Sequence, residues 1–467
     1  MPDQPTAPQA STPTLQAPAA DPHVGSQVYS RKRALLAGTA GLGLTGLGVG
    51  IAPGLLDRAA GRPMPHPRAD PVSHPDARAA ASPALLRRLI AGTQGFGFDL
   101  FGRLVARPGA ATSNVFISPL SIAAALAMTY NGAHGATAAG MAAALRLHGL
   151  GLDRVNAGYA TLLPLLTGGD PDVRVTVADS LWARDGITLD PAFVRRVTAA
   201  YHAQLTTLDF RAPDASTTIN AWVRARTNGL IAGIVPDILP PDAILYLINA
   251  VYFKGRWASP FDRALTKPQA FTRGDGSKAS VPMMVQEGNF PYYQGAGFQV
   301  IRLPYGAGHT AMIVMLPDKG TDLARVQASL AAPGFDALVS RLAMARGTIS
   351  LPRFSVSYTS NLNGPLIALG MGLAFQRDTA DFDAMFQPPR PIHPYISGVA
   401  HKAVMRVDEK GTTAAAVTSV GVVHSTGVGV AINQFTMVVD RPFFCAIQED
   451  TTGAVLFMGQ ITDPQPN

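Results

Sequence analysis

Apolar residues recur at helical spacing between Leu85 and Val105, with Leu86, Ile90, Phe96, Phe98, Phe101 and Leu104 forming a stripe. Ser118-Pro119 opens a second helix, with a hydroxyl suited to the N-cap and a proline suited to the first turn, and Asn131-Gly132 closes it. The same spacing predicts helices over 136–147, 153–166, 191–203 and 215–230. Strict alternation over 173–182 predicts a half-buried strand, and the nearly continuous apolar run 244–253 predicts a strand covered on both faces. Residues 300–303 and 311–316 read as a hairpin, and helices are expected around 321–345 and 360–371. The chain ends in strands over 403–407, 435–439, 443–448 and 455–461. Helices lead, strands follow, and no βαβ alternation appears, so the expected class is α+β.

The first 81 residues have a different texture. Residues 1–29 are rich in Pro, Ala, Thr and Gln and read as a disordered tail. Arg31-Lys32-Arg33 then precedes an uncharged, glycine-rich apolar stretch over 34–56. A basic region followed by an apolar one is the layout of an export signal, so 30–56 is expected to direct export (secreted or periplasmic) or to remain as a membrane anchor. Residues 57–81 read as a linker, which leaves 82–467 as the folded domain.

Charge and cysteine content remove several function classes. The net charge of +7 over 467 residues is scattered, whereas a nucleic-acid surface needs clustered Lys and Arg. Cys445 is the single cysteine, so there is no intrachain disulfide, and its apolar surroundings suit a core thiol. No zinc-ligand spacing, phosphate-binding glycine loop or nucleophile elbow occurs, and no metal or cofactor is expected. Ser118, His401 and Asp408 supply the residue types of a catalytic triad, but nothing in their spacing brings them together.

One run remains unexplained by ordinary structure. From Thr412 to Val439 there is no Asp, Glu, Lys, Arg or Pro, and the front of the run is small and β-prone. A segment like this pairs with any open sheet edge, so it is either buried or kept apart for a purpose. With a period of two, one face carries Thr412, Ala414, Ala416, Thr418, Val420 and Val422, and none of these resists burial.

Several stretches, in order, resemble the serpin family. They are Asn114-Val-Phe-Ile-Ser-Pro-Leu-Ser-Ile, Leu247-Ile-Asn-Ala-Val-Tyr-Phe-Lys-Gly-Arg-Trp, Leu351-Pro-Arg-Phe, His401-Lys-Ala-Val-Met-Arg-Val-Asp-Glu-Lys-Gly-Thr and Arg441-Pro-Phe-Phe. The likeness covers about 85–467 and is that of a bacterial-type, exported member. It implies three β-sheets, eight to nine helices and an exposed reactive-centre loop. In inhibitory members a target serine protease cleaves the loop, which then inserts into the central sheet as a new strand. The resemblance assigns the loop hinge to Glu409, Gly411, Thr412, Ala414, Ala415 and Ala416, and the reactive bond to Ser425–Thr426. It assigns Ser118, Ser121, Asn249 and His401 to a polar cluster where the strands part, and Trp257 to the top of the sheet. Small Ser425 suits elastase-like or subtilisin-like proteases, and the inhibitor itself supplies no catalytic group. The alternative is a non-inhibitory member acting as a binding or chaperone-like module. Helix 153–166 carries only Arg154 as a base, so heparin is not expected as a partner, and a monomer is.

Overall fold

The computed structural model describes residues 81–168, 170–388, 393–412 and 434–464. The tail, the apolar segment 34–56 and nearly all of the linker lie outside the described residues, as do Ala414, Ala415, Ala416, Ser425 and Thr426. Among the described residues, no helix is long and apolar enough to cross a membrane.

Nine α-helices lie among the described residues: α1 (Pro83–Val105), α2 (Pro119–Tyr130), α3 (Gly135–Ala144), α4 (Leu152–Gly168), α5 (Pro191–Tyr201), α6 (Ala215–Arg226), α7 (Leu323–Ala328), α8 (Ala332–Val339) and α9 (Asn363–Leu366). The strands are β1 (Val115–Ile117), β2 (Val173–Arg184), β3 (Gln204–Leu208), β4 (Leu245–Arg256), β5 (Lys267–Thr272), β6 (Lys278–Gly295), β7 (Phe298–Tyr305) and β8 (Thr310–Pro317). They continue with β9 (Ala343–Pro352), β10 (Phe354–Asn361), β11 (Ile396–Asp408), β12 (Gly411–Thr412), β13 (Gln434–Val438), β14 (Phe443–Glu449) and β15 (Val455–Ile461).

The strongly patterned elements form where the periodicity puts them. Ser82 and Ser118 cap α1 and α2, each followed by a proline in the first turn. Two regions differ from expectation. The helices around 321–345 end at Val339, and 343–352 is strand β9, held between β6 and β13. The eighteen-residue β6 is missed by pattern because Pro282, Glu287, Gly288, Asn289 and Pro291 interrupt it. Three neighbours hold it extended instead: β5 at its start, β9 through its middle and β7 at its end. Its length also joins strands that would otherwise form separate sheets, so the described ladders trace a nine-stranded and a six-stranded set.

The six-stranded sheet runs β10-β11-β12-β4-β2-β3. Even-numbered β4 residues Tyr246, Ile248, Ala250 and Tyr252 pack beneath α6 with Ile219 and Val223. Odd-numbered Leu245, Leu247, Val251 and Phe253 join the main core, which includes the buried α2. This two-sided burial is why β4 reads as a continuous apolar run.

Candidate functional site

The site is the seam between β4 and β11. These strands pair in parallel from Leu245–Ile396 up to Tyr252–Val404. Above that level they separate, and the two residues of β12 lie between them. Thr412 pairs with Val407 of β11 and Gly255 of β4, and Gly411 pairs with Asp408 and Arg256, all antiparallel. Gly411 is required here: its φ is 143°, and a Cβ would stand 2.2 Å from the Gly255 carbonyl oxygen.

Thr412 is fully buried, and its hydroxyl shares a 2.8 Å hydrogen bond with the Tyr305 hydroxyl. Tyr305 stacks on Trp257 with ring centroids 4.3 Å apart. The Trp257 indole N–H donates to the Asp408 carbonyl (2.9 Å), and its backbone N–H donates to the Lys410 carbonyl (3.0 Å). Trp257 thus lies against β12 at the end of the seam where β4 and β11 are apart. The buried carboxylate of Glu409 accepts from the Arg353 guanidinium and from the Thr266 hydroxyl. Burial alone would raise the Glu409 pKa, but the Arg353 and Thr266 hydrogen bonds bring it below the usual value. Glu409 is therefore held by Arg353 and Thr266, and Thr412 lies within the sheet.

Lower on the seam, Asn249 of β4 faces His401 of β11 across the parallel ladder. The Asn249 side-chain oxygen lies 2.5 Å from His401 Nδ1, and its amide nitrogen donates to Ser121 of α2 and to Asp179 of β2. Ser121, Asn249 and His401 are buried. Ser118, also buried, caps α2 by accepting from the Ser121 backbone N–H and stands beside the cluster rather than bonding Asn249. Desolvation lowers the His401 pKa to about 3, so its ring is neutral, and its Nε2 has no hydrogen-bond partner. That orphan, with Nδ1 committed to Asn249, shows that Ser118, His401 and Asp408 do not assemble a triad.

Asp179 is the member that sequence reasoning missed. Burial raises its pKa to about 7, against the opposing hydrogen bonds from Asn249 and Ser121. A signal was available, since Asp179 is a carboxylate on the core-facing parity of an otherwise apolar stretch of β2. Arg353 and Tyr305 were also missed, because partners 56 and 107 residues from Glu409 and Thr412 leave no local trace. Cys445 is buried, and desolvation pushes its thiol up to about 12, so it is inert core.

Comparison with known proteins agrees with this architecture. Residues 91–464 match the family model of the serpins, serine protease inhibitors. The chain is 32% identical over 394 residues to the leukocyte elastase inhibitor of Bos taurus, covering 81% of this chain and all of that one. It is 32% identical to Serpin-Z1B of Triticum aestivum, over 81% of this chain and 97% of the relative. The native-state crystal structure of the thermophilic serpin tengpin superposes with a TM-score of 0.73 at 31% identity, covering 85% of this chain and 97% of that one. Human thyroxine-binding globulin, solved in complex with thyroxine, gives 0.74 at 26% identity, covering 82% of this chain and 100% of that one. The hinge geometry, the seam and these matches together place the chain in the serpin family.

Proposed function

We propose that this serpin is an irreversible suicide inhibitor of elastase-like or subtilisin-like serine proteases, acting outside the cytoplasm after export. The observation that carries this reading is the position of Thr412, buried between β4 and β11 with its side chain in the core. Alternation from Thr412 turns the even-numbered residues inward, and those are Ala414, Ala416, Thr418, Val420 and Val422. Continuing the register one rung per residue sets Ala414 opposite Phe253 and Met405, and Thr418 opposite Asn249 and His401. The single inward hydroxyl below Thr412 therefore falls at the polar cluster, beside the unpartnered His401 Nε2. Val423 falls opposite Ile244 and Ile396, where the strands end, and Ser425 lies two residues beyond.

Loop and seam are thus matched in length, so a protease esterified at Ser425 would be carried to the far end of the sheet. About a dozen new ladder rungs with Val and Ala burial supply roughly 10 kcal/mol or more. Deacylation needs water, base and oxyanion donors aligned to fractions of an ångström, so distortion of the captured enzyme leaves the ester intact. The full chain incubated with pancreatic elastase or subtilisin is expected to give an SDS-resistant complex. Loop cleavage without complex by every protease tested would overturn the proposal.

Similarity to a globulin named for a hormone supports a second reading, a non-inhibitory binding module. Thermal unfolding of loop-cleaved protein separates the two: a large rise in stability means the strand entered, and no rise favours the binding module.

A further inference from the structure

The polar cluster on the seam contains an ionisable group that no cation offsets. Asn249 has two amide protons and uses them on Ser121 and Asp179, which turns its oxygen toward His401 Nδ1–H. The bond across the β4–β11 seam therefore depends on the acceptor that Asp179 offers from β2. Among the described residues no Lys or Arg forms an ion pair with Asp179, and the neutral His401 ring supplies no charge.

Asp179 also has a route to water. It lines a cavity of about 300 Å³ where β2 runs past the start of β3, since β3 pairs with β2 only from Ser180 onward. The groups around it can be named element by element. Asn249 comes from β4 and Ser121 from α2. His202, at the end of α5, and Gln204 of β3 line the cavity. Trp222 and Arg226 of α6 line it too, with both side chains donating to the side-chain carbonyl of Gln204. On α4 and α5, Tyr159 and Tyr201 are buried, and burial raises their phenols so that they stay neutral.

We infer that Asp179 is a proton-operated catch on the seam: protonated, it leaves the closed sheet with its Asn249–His401 bond favoured, and ionised, its poorly hydrated carboxylate favours the strands apart. The direction follows from solvation. In the closed sheet the carboxylate is poorly hydrated and has no cation. When the strands part, the Asn249–His401 bond breaks and water enters to hydrate the carboxylate. The open state thus favours ionised Asp179, and opening releases a proton from it.

The inference rests on reading this seam as the one the loop enters, but its test uses intact protein without a protease, so the two readings fail separately. Hydrogen exchange of the full chain is followed at the β4 and β11 amides between pH 6 and 8, with the intrinsic pH dependence removed. Protection is expected to fall about two- to threefold across that range, because proton release from Asp179 on opening outweighs the opposing proton uptake by His401 near pH 6. Asp179→Asn keeps an acceptor of the same shape and should abolish the fall, leaving only the slight rise with pH that His401 contributes. Ser121→Ala removes a hydrogen bond that favours the ionised carboxyl, and should move the wild-type transition to higher pH. A flat profile for the wild type, an unchanged slope in Asp179→Asn, or an unmoved midpoint in Ser121→Ala overturns the catch.

Discussion

The upper and lower halves of the β4–β11 seam use the same two strands and reach opposite states. Above Tyr252 and Val404 the strands are apart, and Gly411 and Thr412 fill the gap. Below, the strands bond each other directly, and Asn249 meets His401. Both halves are buried, so hydrophobicity does not distinguish them. What differs is the partner on offer. At the top, Trp257, Tyr305 and the Glu409–Arg353 pair hold an incoming strand in place. In the middle, a polar cluster satisfies the two strands without one. The seam is thus a single interface with two sets of hydrogen bonds, one with β12 between the strands and one without it.

The comparison breaks most severely at Thr412. Thr412→Arg would place a guanidinium in a fully buried position beside Tyr305. Proteases should then cleave the loop and escape, with complex yield on gels falling at least tenfold, because an unpaired buried charge costs several kcal/mol. Unchanged complex yield would show that the parity assigned to the loop is wrong.

Next in size is Arg353→Met, which leaves the buried Glu409 carboxylate without its cation. Denaturant unfolding should show a loss of about 3 kcal/mol, and Glu409→Gln in the same background should recover part of it. No loss would mean the hinge anchor lies elsewhere.

The lower half carries a pH signature. The folded pKa of His401 is depressed from 6.5 to about 3, so the folded state binds fewer protons than the unfolded chain between those values. Its contribution to stability is present above about pH 6.5 and is lost as pH falls toward 3, at up to about 1.4 kcal/mol per pH unit. Asp179 acts with the opposite sign: its raised pKa makes stability fall as pH rises from about 4 to about 7. The two slopes offset one another between about pH 4 and 6.5. His401→Asn should therefore unmask a stability that declines with rising pH in urea titrations across that window. A variant with the same profile as the wild type would remove either residue from the account.

The smallest effect is expected at the top of the seam. Trp257→Phe keeps the stack on Tyr305 but loses the indole hydrogen bond to the Asp408 carbonyl, worth about 1 kcal/mol. That is readable as a shift in the urea midpoint.

Much of this molecule is local. The capped α1 and α2, the alternating β2 and the continuous β4 all arise from residues within a turn or a rung of each other. The uncharged run after Gly411 is likewise visible in the chain, because what a strand needs in order to enter a core is the absence of charge on alternate positions. The resemblance added Ser121, Asn249, His401, Glu409 and Trp257, and the structure brings these into one seam. Strand β6 was not legible, since its prolines and polar residues are extended only because three other strands hold them. Asp179 was not legible either: its placement depends on Asn249, seventy residues away, and on the packing whose burial raises its carboxyl. The sequence by itself determined which segment combines a strand's parity with a lack of charge. Only the tertiary structure decided that Gly411 and Thr412 lie between β4 and β11, because that position is set by contacts with Gly255, Tyr305 and Val407, which come together only when the strands fold side by side.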